Sequence, residues 1–143
     1  MSKVILLVED TPSDEKLTLM AFKRSGIANE ICVVRDGVQA LDYLFGTGAY
    51  DGKQPPLPGI VLLDLNLPLI SGLDVLRRLR AHERTKILPV VVLTSSKEDE
   101  DIITSYQLGA NAYVRKPVAF TAFVEAAKTL GLFWLLLNEP APG

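Results

Sequence analysis

The chain of 143 residues is 48% hydrophobic and carries a formal net charge of −2, which fits one compact domain with a buried core. Because it has no basic stripe, we do not expect it to bind nucleic acid through charge. The apolar stretch near the N-terminus is too short for a signal peptide or a membrane span, so we expect a cytoplasmic protein with no membrane role. The single cysteine, Cys32, lies in an apolar run and is predicted to be a buried thiol in a reducing compartment.

Strands and helices are predicted to alternate along the chain. Short continuous apolar runs are typical of buried parallel strands, and apolar residues at helical spacing are typical of the helices between them. In chain order the predicted elements are strand Val4–Val8, a helix from Thr11 to about Ser25, strand Glu30–Val34, a helix opened by Asp36 and Gly37, strand Gly59–Leu63, a helix opened by Ser71 and Gly72, strand Val90–Leu93, a helix from about Glu98 to Leu108, strand Ala112–Val114 and a helix from about Phe120 through Leu137. These five units predict an α/β fold with a doubly wound parallel sheet.

The first helix carries three start signals. Thr11 can cap its first turn, Pro12 suits the first helical position, and the Asp14 carboxylate favours the positive end of the helix. The sequence therefore predicts that this helix begins directly after the first strand.

The connection from residue 46 to residue 59 is irregular, since it contains four glycines and three prolines. It is longer than most helix-to-strand connections. Its place in the chain puts it at the sheet edge where strands begin. We expect a surface loop without chemistry, and contact with a partner is the alternative.

Three carboxylates follow two of the predicted strands. Glu9 and Asp10 end the first apolar run, and Asp64 ends the third. If these strands are parallel neighbours, the three side chains share the carboxyl-terminal sheet edge, where open α/β sheets bind ligands. Crowded carboxylates repel one another, and a hard divalent cation with oxygen ligands relieves that repulsion. The sequence therefore predicts a Mg²⁺ site with one carboxylate able to react.

Two further strands deliver polar groups to the same edge. Thr94 and Ser95 follow the fourth apolar run, and Lys116 and Pro117 follow the fifth. A hydroxyl and an ammonium that face a metal-bound carboxylate suit a tetrahedral oxyanion.

Together these motifs resemble the response-regulator receiver domains of two-component signalling. The resemblance covers roughly Lys3 to Leu130, and the motifs follow the expected strands in order. It implies a flavodoxin-like fold, a receiver domain over residues 1–137, a short tail over 138–143 and no output domain. The chain is most similar to the single-domain receivers that serve bacterial and cyanobacterial phytochrome kinases. It resembles them in the insert before the third strand and in the apolar, Pro-containing ending at residues 133–140.

The resemblance implies a role for each site residue. Asp64 would accept a phosphoryl group from the phosphohistidine of a sensor histidine kinase. The similarity to receivers that serve phytochrome kinases implies that this kinase is a phytochrome. Asp10 and Asp64 would bind Mg²⁺ directly, Glu9 through water, and the backbone carbonyl of Asn66 would complete the protein ligands.

It also implies a conformational switch. Lys116 would pair with Asp64 before transfer and with the phosphoryl oxygens after it. Thr94 would turn its hydroxyl onto a phosphoryl oxygen, and Tyr113 would turn inward when Thr94 moves. The bond between Lys116 and Pro117 would be a cis peptide. The phosphorylated domain would be read by a partner protein or would pass the group to a downstream phosphotransfer protein.

Two other functions compete with this interpretation. An aspartyl-phosphate phosphatase also uses a Mg²⁺-bound aspartate, but many such enzymes have an acid two residues later, where this chain has Asn66. A flavin-binding electron carrier of the same topology would need a phosphate-binding loop where Glu9 and Asp10 stand. We therefore expect a signalling domain and not an enzyme. His82, the only histidine, is predicted to lie on a solvated face.

The C-terminal region predicts self-association. Residues 132–137 are six consecutive apolar residues, more than one helix face can bury against a sheet. Because exposed apolar patches mark protein interfaces, we expect a homodimer through Phe133–Leu137 and the face of the fourth helix, fifth strand and fifth helix. A monomer whose tail folds onto its own core is the alternative.

Overall fold

The computed structural model describes residues 4–27, 29–53, 55–95, 99–116 and 120–130. Within these ranges no helix is long and apolar enough to cross a membrane. In chain order the elements are β1 Ile5–Val8, α1 Pro12–Arg24, β2 Ile31–Val34, α2 Gly37–Phe45, a 3-10 turn Gly48–Tyr50, β3 Ile60–Leu63, α3 Gly72–Ala81, β4 Val90–Thr94, α4 Asp99–Gln107, β5 Ala112–Arg115 and α5 Phe120–Leu130.

The five strands form one parallel sheet in the order β2-β1-β3-β4-β5. After β1 the chain moves to one side to form β2, and then crosses to the other side to form β3. This change of direction leaves a crevice beyond the carboxyl ends of β1 and β3. The register pairs Val8 with Leu63, the last residues of β1 and β3, so these two strands end together. Leu63 also pairs with Val92, and β4 continues from there to Thr94. The predicted doubly wound parallel sheet is confirmed.

Alternate residues of a strand point to opposite faces of the sheet. Because the strands β1 and β3 are apolar throughout, both faces need cover, and helices pack against each of them. Leu6 and Val8 of β1 pack with Leu76 of α3 on one face. Ile5 and Leu7 pack with the second core group, which includes Phe22 of α1 and Ala127 of α5. The carboxyl ends of β1 and β3 therefore belong to strands that are buried on both faces.

Some local predictions need correction. Thr11 occupies the N-cap position of α1, but its side chain makes no capping hydrogen bond, so the prediction that it caps the helix was wrong. Acids in the first turn, Asp14 and Glu15, supply the favourable charge there instead. Cys32 is only half-buried because β2 is an edge strand. The predicted end of the last helix at Leu137 lies outside the described residues.

The insert lies at the edge where the strands begin, as predicted, since Gly59 donates its N–H to the carbonyl of Val4 at 2.7 Å. The Tyr43 and Tyr50 rings pack edge to face, with centroids 5.3 Å apart. The Arg84 guanidinium donates to the Pro55 carbonyl at 3.0 Å. The described part of the insert is thus held against α2 and against the connection that follows α3.

Arg80 ties three segments together at the same end of the sheet. Its guanidinium donates to the carbonyls of Leu88 at 2.7 Å and Gly109 at 2.6 Å. These bonds connect α3 to the start of β4 and to the turn after α4. Burial lowers the pKa of Arg80 from its ordinary value, although the guanidinium stays charged.

Candidate functional site

The acidic residues that follow β1 and β3 meet at the carboxyl edge of the sheet. Glu9, Asp10 and Asp64 each offer a carboxylate oxygen, and these oxygens lie within 4.8 Å of one another. The strand register explains this, because Asp64 donates its N–H to the carbonyl of Val8 at 3.1 Å. Glu9 and Asp64 are buried, whereas Asp10 is exposed. Two fixed carboxylates and one accessible carboxylate therefore surround one small volume.

Lys116 reaches into this acidic group from the end of β5. Its backbone N–H donates to the carbonyl of Thr94 at 2.8 Å, which extends the β4–β5 ladder to the site. The ammonium donates to Asp64 Oδ2 at 3.1 Å, to Asp14 Oδ2 at 3.1 Å and to Glu9 Oε1. The predicted pairing of Lys116 with Asp64 is thus present. The Asp14 contact is an addition, since the sequence indicated only a helix-start role for that residue.

Burial and the neighbouring charges shift two pKa values at the site. Burial, followed by the adjacent Asp64, raises the pKa of Glu9 to about 7, although the Lys116 ammonium opposes that shift. Burial lowers the pKa of Lys116, but the bonds and charges of Glu9, Asp64 and Asp14 outweigh it, so its pKa lies above the ordinary value. The lysine is therefore a permanent cation, and Glu9 can gain a proton near neutral pH.

Asn66 connects the acidic group to the end of β4. Its backbone N–H donates to Asp64 Oδ1 at 3.0 Å, and its side-chain amide donates to the Thr94 hydroxyl at 3.3 Å. The same amide lies 3.4 Å from the Ser95 hydroxyl. Thr94 is fully buried. The structure thus places the predicted Thr94 hydroxyl beside Asn66, for which the sequence predicted a role of the backbone carbonyl only and none of the side-chain amide.

Tight backbone packing fixes the loop between Asp64 and α3. A Cβ atom added at Gly72 would lie 2.2 Å from the Asp64 carbonyl oxygen, so only glycine allows this approach. Ile70 donates its N–H to the carbonyl of Pro68 at 2.9 Å, around Leu69 with φ of 71°. This is a three-residue turn with a strained central residue. The Leu69 side chain is 79% exposed beside the site.

Three further predictions concern Tyr113, the Lys116–Pro117 bond and His82. Tyr113 pairs with Val92 in the sheet and is half-buried against the core that α3 covers. The Lys116–Pro117 bond involves a residue outside the described ranges, so its predicted cis form stays a prediction. His82 is exposed, as predicted, and its ring packs on Phe45 with centroids 4.8 Å apart.

Comparison with known proteins agrees with this geometry. A sequence model of the response regulator receiver domain matches residues 5–128. Response regulator Rcp1 of Synechocystis sp. is 39% identical over 133 residues, which span 93% of this chain and 89% of that protein. The crystal structure of the Mn²⁺-bound form of Rcp1 superposes with a TM-score of 0.85 at 38% identity, over 97% of this chain and 99% of that chain.

Two solved phytochrome response regulators are also similar. The bacteriophytochrome response regulator RtBRR is 52% identical with a TM-score of 0.81, and the match covers 100% of this chain and 86% of that chain. The phosphorylated cyanobacterial phytochrome response regulator RcpA is 36% identical with a TM-score of 0.86, over 97% of this chain and 98% of that chain.

Proposed function

This chain belongs to the response regulator receiver-domain family, and we propose that its Asp64 accepts a phosphoryl group from the phosphohistidine of a sensor histidine kinase. The observation that carries this proposal is the position of Asp64, whose carboxylate lies beside those of Glu9 and Asp10 and accepts a hydrogen bond from the Lys116 ammonium. A nucleophile, a cation for the phosphoryl oxygens and metal-type ligands are thus present within one crevice.

The donor set fits a divalent cation. Mg²⁺ prefers oxygen ligands and usually binds through one or two carboxylates. Asp10 and Asp64 would bind it directly and Glu9 through water, with the backbone carbonyl of Asn66 as a further ligand. When bound, the ion offsets negative charge on the transferring phosphoryl group and helps to orient it. The Mn²⁺-bound form of Rcp1 supports a divalent metal in this family.

The transfer step follows from the positions of this chain's own groups. An Asp64 carboxylate oxygen forms a bond to phosphorus while the bond from phosphorus to the histidine nitrogen of the donor breaks. Lys116 moves its hydrogen bond from the carboxylate to a phosphoryl oxygen and so offsets charge there. The product is an acyl phosphate on Asp64. The donor histidine leaves as neutral imidazole, because its other ring nitrogen takes a proton from the solvent before the bond to phosphorus breaks.

Thr94 and Tyr113 are the proposed switch residues. Before transfer, the Thr94 hydroxyl accepts a hydrogen bond from Asn66 at 3.3 Å. A phosphoryl oxygen at Asp64 offers this hydroxyl an acceptor, so Thr94 turns to donate to it. Tyr113, which is half-buried on the neighbouring strand, then packs inward. A partner protein then binds the altered face, or Asp64 passes the phosphoryl group to a phosphotransfer protein.

The kinase partner is proposed to be a phytochrome. The support is the similarity to RtBRR and RcpA, which are phytochrome response regulators, over nearly the whole chain. The chain is accordingly a signalling protein, and its own chemistry is proposed to be limited to phosphotransfer and autodephosphorylation in the cytoplasm.

We propose that the receiver domain covers residues 1–137 and that residues 138–143 form a short tail. We also propose that the protein forms a homodimer through its C-terminal region. The support is the apolar sequence of residues 132–137 and three exposed apolar side chains on α4 and β5, namely Ile103, Tyr106 and Val114. Sedimentation at micromolar concentration should show a dimer that truncation after Leu132 converts to a monomer. A monomeric parent, unchanged by the truncation, would end this proposal.

Mass spectrometry tests the phosphoacceptor proposal. Incubation with acetyl phosphate and Mg²⁺ should add one phosphoryl group to the parent and none to Asp64→Asn. Addition should stop in EDTA, because charge must be offset before a carboxylate attacks a phosphate dianion. An adduct that persists in Asp64→Asn would overturn the assignment of the acceptor.

A further inference from the structure

A fourth carboxylate, Asp14, binds the Lys116 ammonium but is not part of the candidate metal cluster of Glu9, Asp10 and Asp64. Its Oδ2 atom is 3.1 Å from the Lys116 Nζ atom, and it stands in the first turn of α1. A lysine ammonium has three N–H donors. The structure supplies a carboxylate for each of them, from Glu9, Asp14 and Asp64. The lysine is thus held from three sides.

The three partners do not stay equally available to Lys116. The oxygens of Glu9 and Asp64 belong to the group that can surround a cation. A bound cation draws those oxygens away and repels the ammonium, and phosphorylation converts the Asp64 carboxylate into an acyl phosphate. Of the three partners, only Asp14 stands apart from the metal-type cluster and from the proposed acceptor. It can keep its ion pair with Lys116 before, during and after transfer.

The helix fixes Asp14 for this role. Its carbonyl accepts a hydrogen bond from the Thr18 hydroxyl at 2.9 Å, within the ordered start of α1. The next acid along the helix, Glu15, pairs instead with Arg35 at 3.1 Å, on another part of the surface. The two neighbouring carboxylates therefore have separate partners, and Glu15 offers a matched control.

We propose that Asp14 is a positioning residue that holds the Lys116 ammonium over the phosphoryl group, an inference that rests on the proposed role of Asp64. It acts through the lysine and does not touch the reacting atoms. The ion pair with Asp14 keeps the Lys116 ammonium in place when Glu9 faces the metal and Asp64 is phosphorylated. The positive charge of the lysine then remains close to the phosphoryl oxygens.

Kinetics with a small phosphodonor give the first test. With saturating Mg²⁺, Asp14→Asn should be phosphorylated by acetyl phosphate about tenfold more slowly than the parent, which is the effect of weakening one charge-assisted hydrogen bond. Asp14→Glu should recover part of the rate because it keeps the charge. Glu15→Gln should match the parent. Mg²⁺ affinity, measured by calorimetry, should change by less than about threefold in Asp14→Asn, because this residue is partly exposed and is not a proposed ligand.

A double-mutant cycle without metal gives a second readout. Thermal unfolding in EDTA of the parent, Asp14→Asn, Lys116→Met and the double variant should show non-additive stability, since each single change breaks the same ion pair. If the parent is not phosphorylated, the proposed function fails, and the cycle still decides whether Asp14 holds Lys116. An equal or faster rate in Asp14→Asn, or an additive cycle, would overturn the positioning role.

Discussion

The Lys116 ammonium lies 3.1 Å from the Asp64 carboxylate although the two residues are 52 positions apart and their strands are not neighbours. Strand β4 lies between β3 and β5, so the lysine side chain spans the end of β4 to reach Asp64. Its ammonium is largely shielded from solvent, and ion pairs with Glu9, Asp14 and Asp64 offset the cost of that burial. The carboxylates of Glu9 and Asp64 therefore belong both to the candidate metal cluster and to the surroundings of the ammonium.

We predict that Lys116→Ala separates metal binding from phosphotransfer. The variant should bind Mg²⁺ at least as tightly as the parent, because the ammonium no longer competes for Glu9 and Asp64. Its phosphorylation by acetyl phosphate should slow by at least about tenfold, since the phosphoryl oxygens lose a charged donor. Calorimetry and mass spectrometry measure the two effects. A loss of Mg²⁺ affinity by orders of magnitude would instead make the lysine part of the metal site.

We predict a pH dependence of stability that comes from Glu9. In the unfolded chain this group loses its proton near pH 4.5, whereas burial and Asp64 raise its folded pKa to about 7. Between these values the folded state binds more protons, so this contribution to stability falls as the pH rises from about 4.5 to about 7 and is constant above that range. The extra stability of the folded state at low pH therefore comes from the protonated form of Glu9.

Urea unfolding in EDTA can isolate this contribution by comparison with Glu9→Gln, which cannot titrate. The stability of the parent relative to Glu9→Gln should decline as the pH rises toward 7 and then level off. A difference that does not vary with pH would show that Glu9 titrates equally in both states.

Gly72→Ala should disturb the acceptor directly. The added Cβ would lie 2.2 Å from the Asp64 carbonyl and 2.6 Å from the Leu65 Cα, so the backbone of the site must move. We expect a loss of about 2 kcal/mol in unfolding free energy, as for other overpacked sites, together with slower phosphorylation.

Gly52→Ala is the matched control for this change. Gly52 has φ of +74° and no atom within 4 Å of an added Cβ. Its cost should be about 1 kcal/mol from the left-handed backbone alone, with no effect on phosphorylation. Equal phosphorylation rates in Gly72→Ala and the parent would show that the site tolerates the displacement.

The strand-end residues could be predicted from sequence because their positions follow from topology. Once apolar runs are parallel neighbours, Glu9, Asp10 and Asp64 must share an edge, and so must Thr94 and Lys116. The side-chain contacts depend on how helices pack, which spacing does not reveal. Asp14 lies 102 positions from Lys116, and the angle at which α1 leaves the sheet decides whether they meet.

The same limit applies to other interactions. A helix start after β1 was predictable from Pro12 and the following acids, yet the capping bond of Thr11 is absent because a suitable residue type does not fix side-chain geometry. The carbonyl contacts of Arg80 join three segments through backbone atoms, which carry no sequence signal. The half-burial of Cys32 follows from strand order, since an apolar run on an edge strand has only one neighbour.

Mapping the phosphorylated residue tests directly whether Asp64 is the phosphoacceptor. After incubation with Mg²⁺ and acetyl phosphate, borohydride reduces an aspartyl phosphate to homoserine, which peptide mass spectrometry can locate. We expect homoserine at position 64, and none there when EDTA is present or the phosphodonor is omitted. Homoserine at position 10, or a stable phosphate on Thr94 or Ser95 with position 64 unmodified, would contradict it.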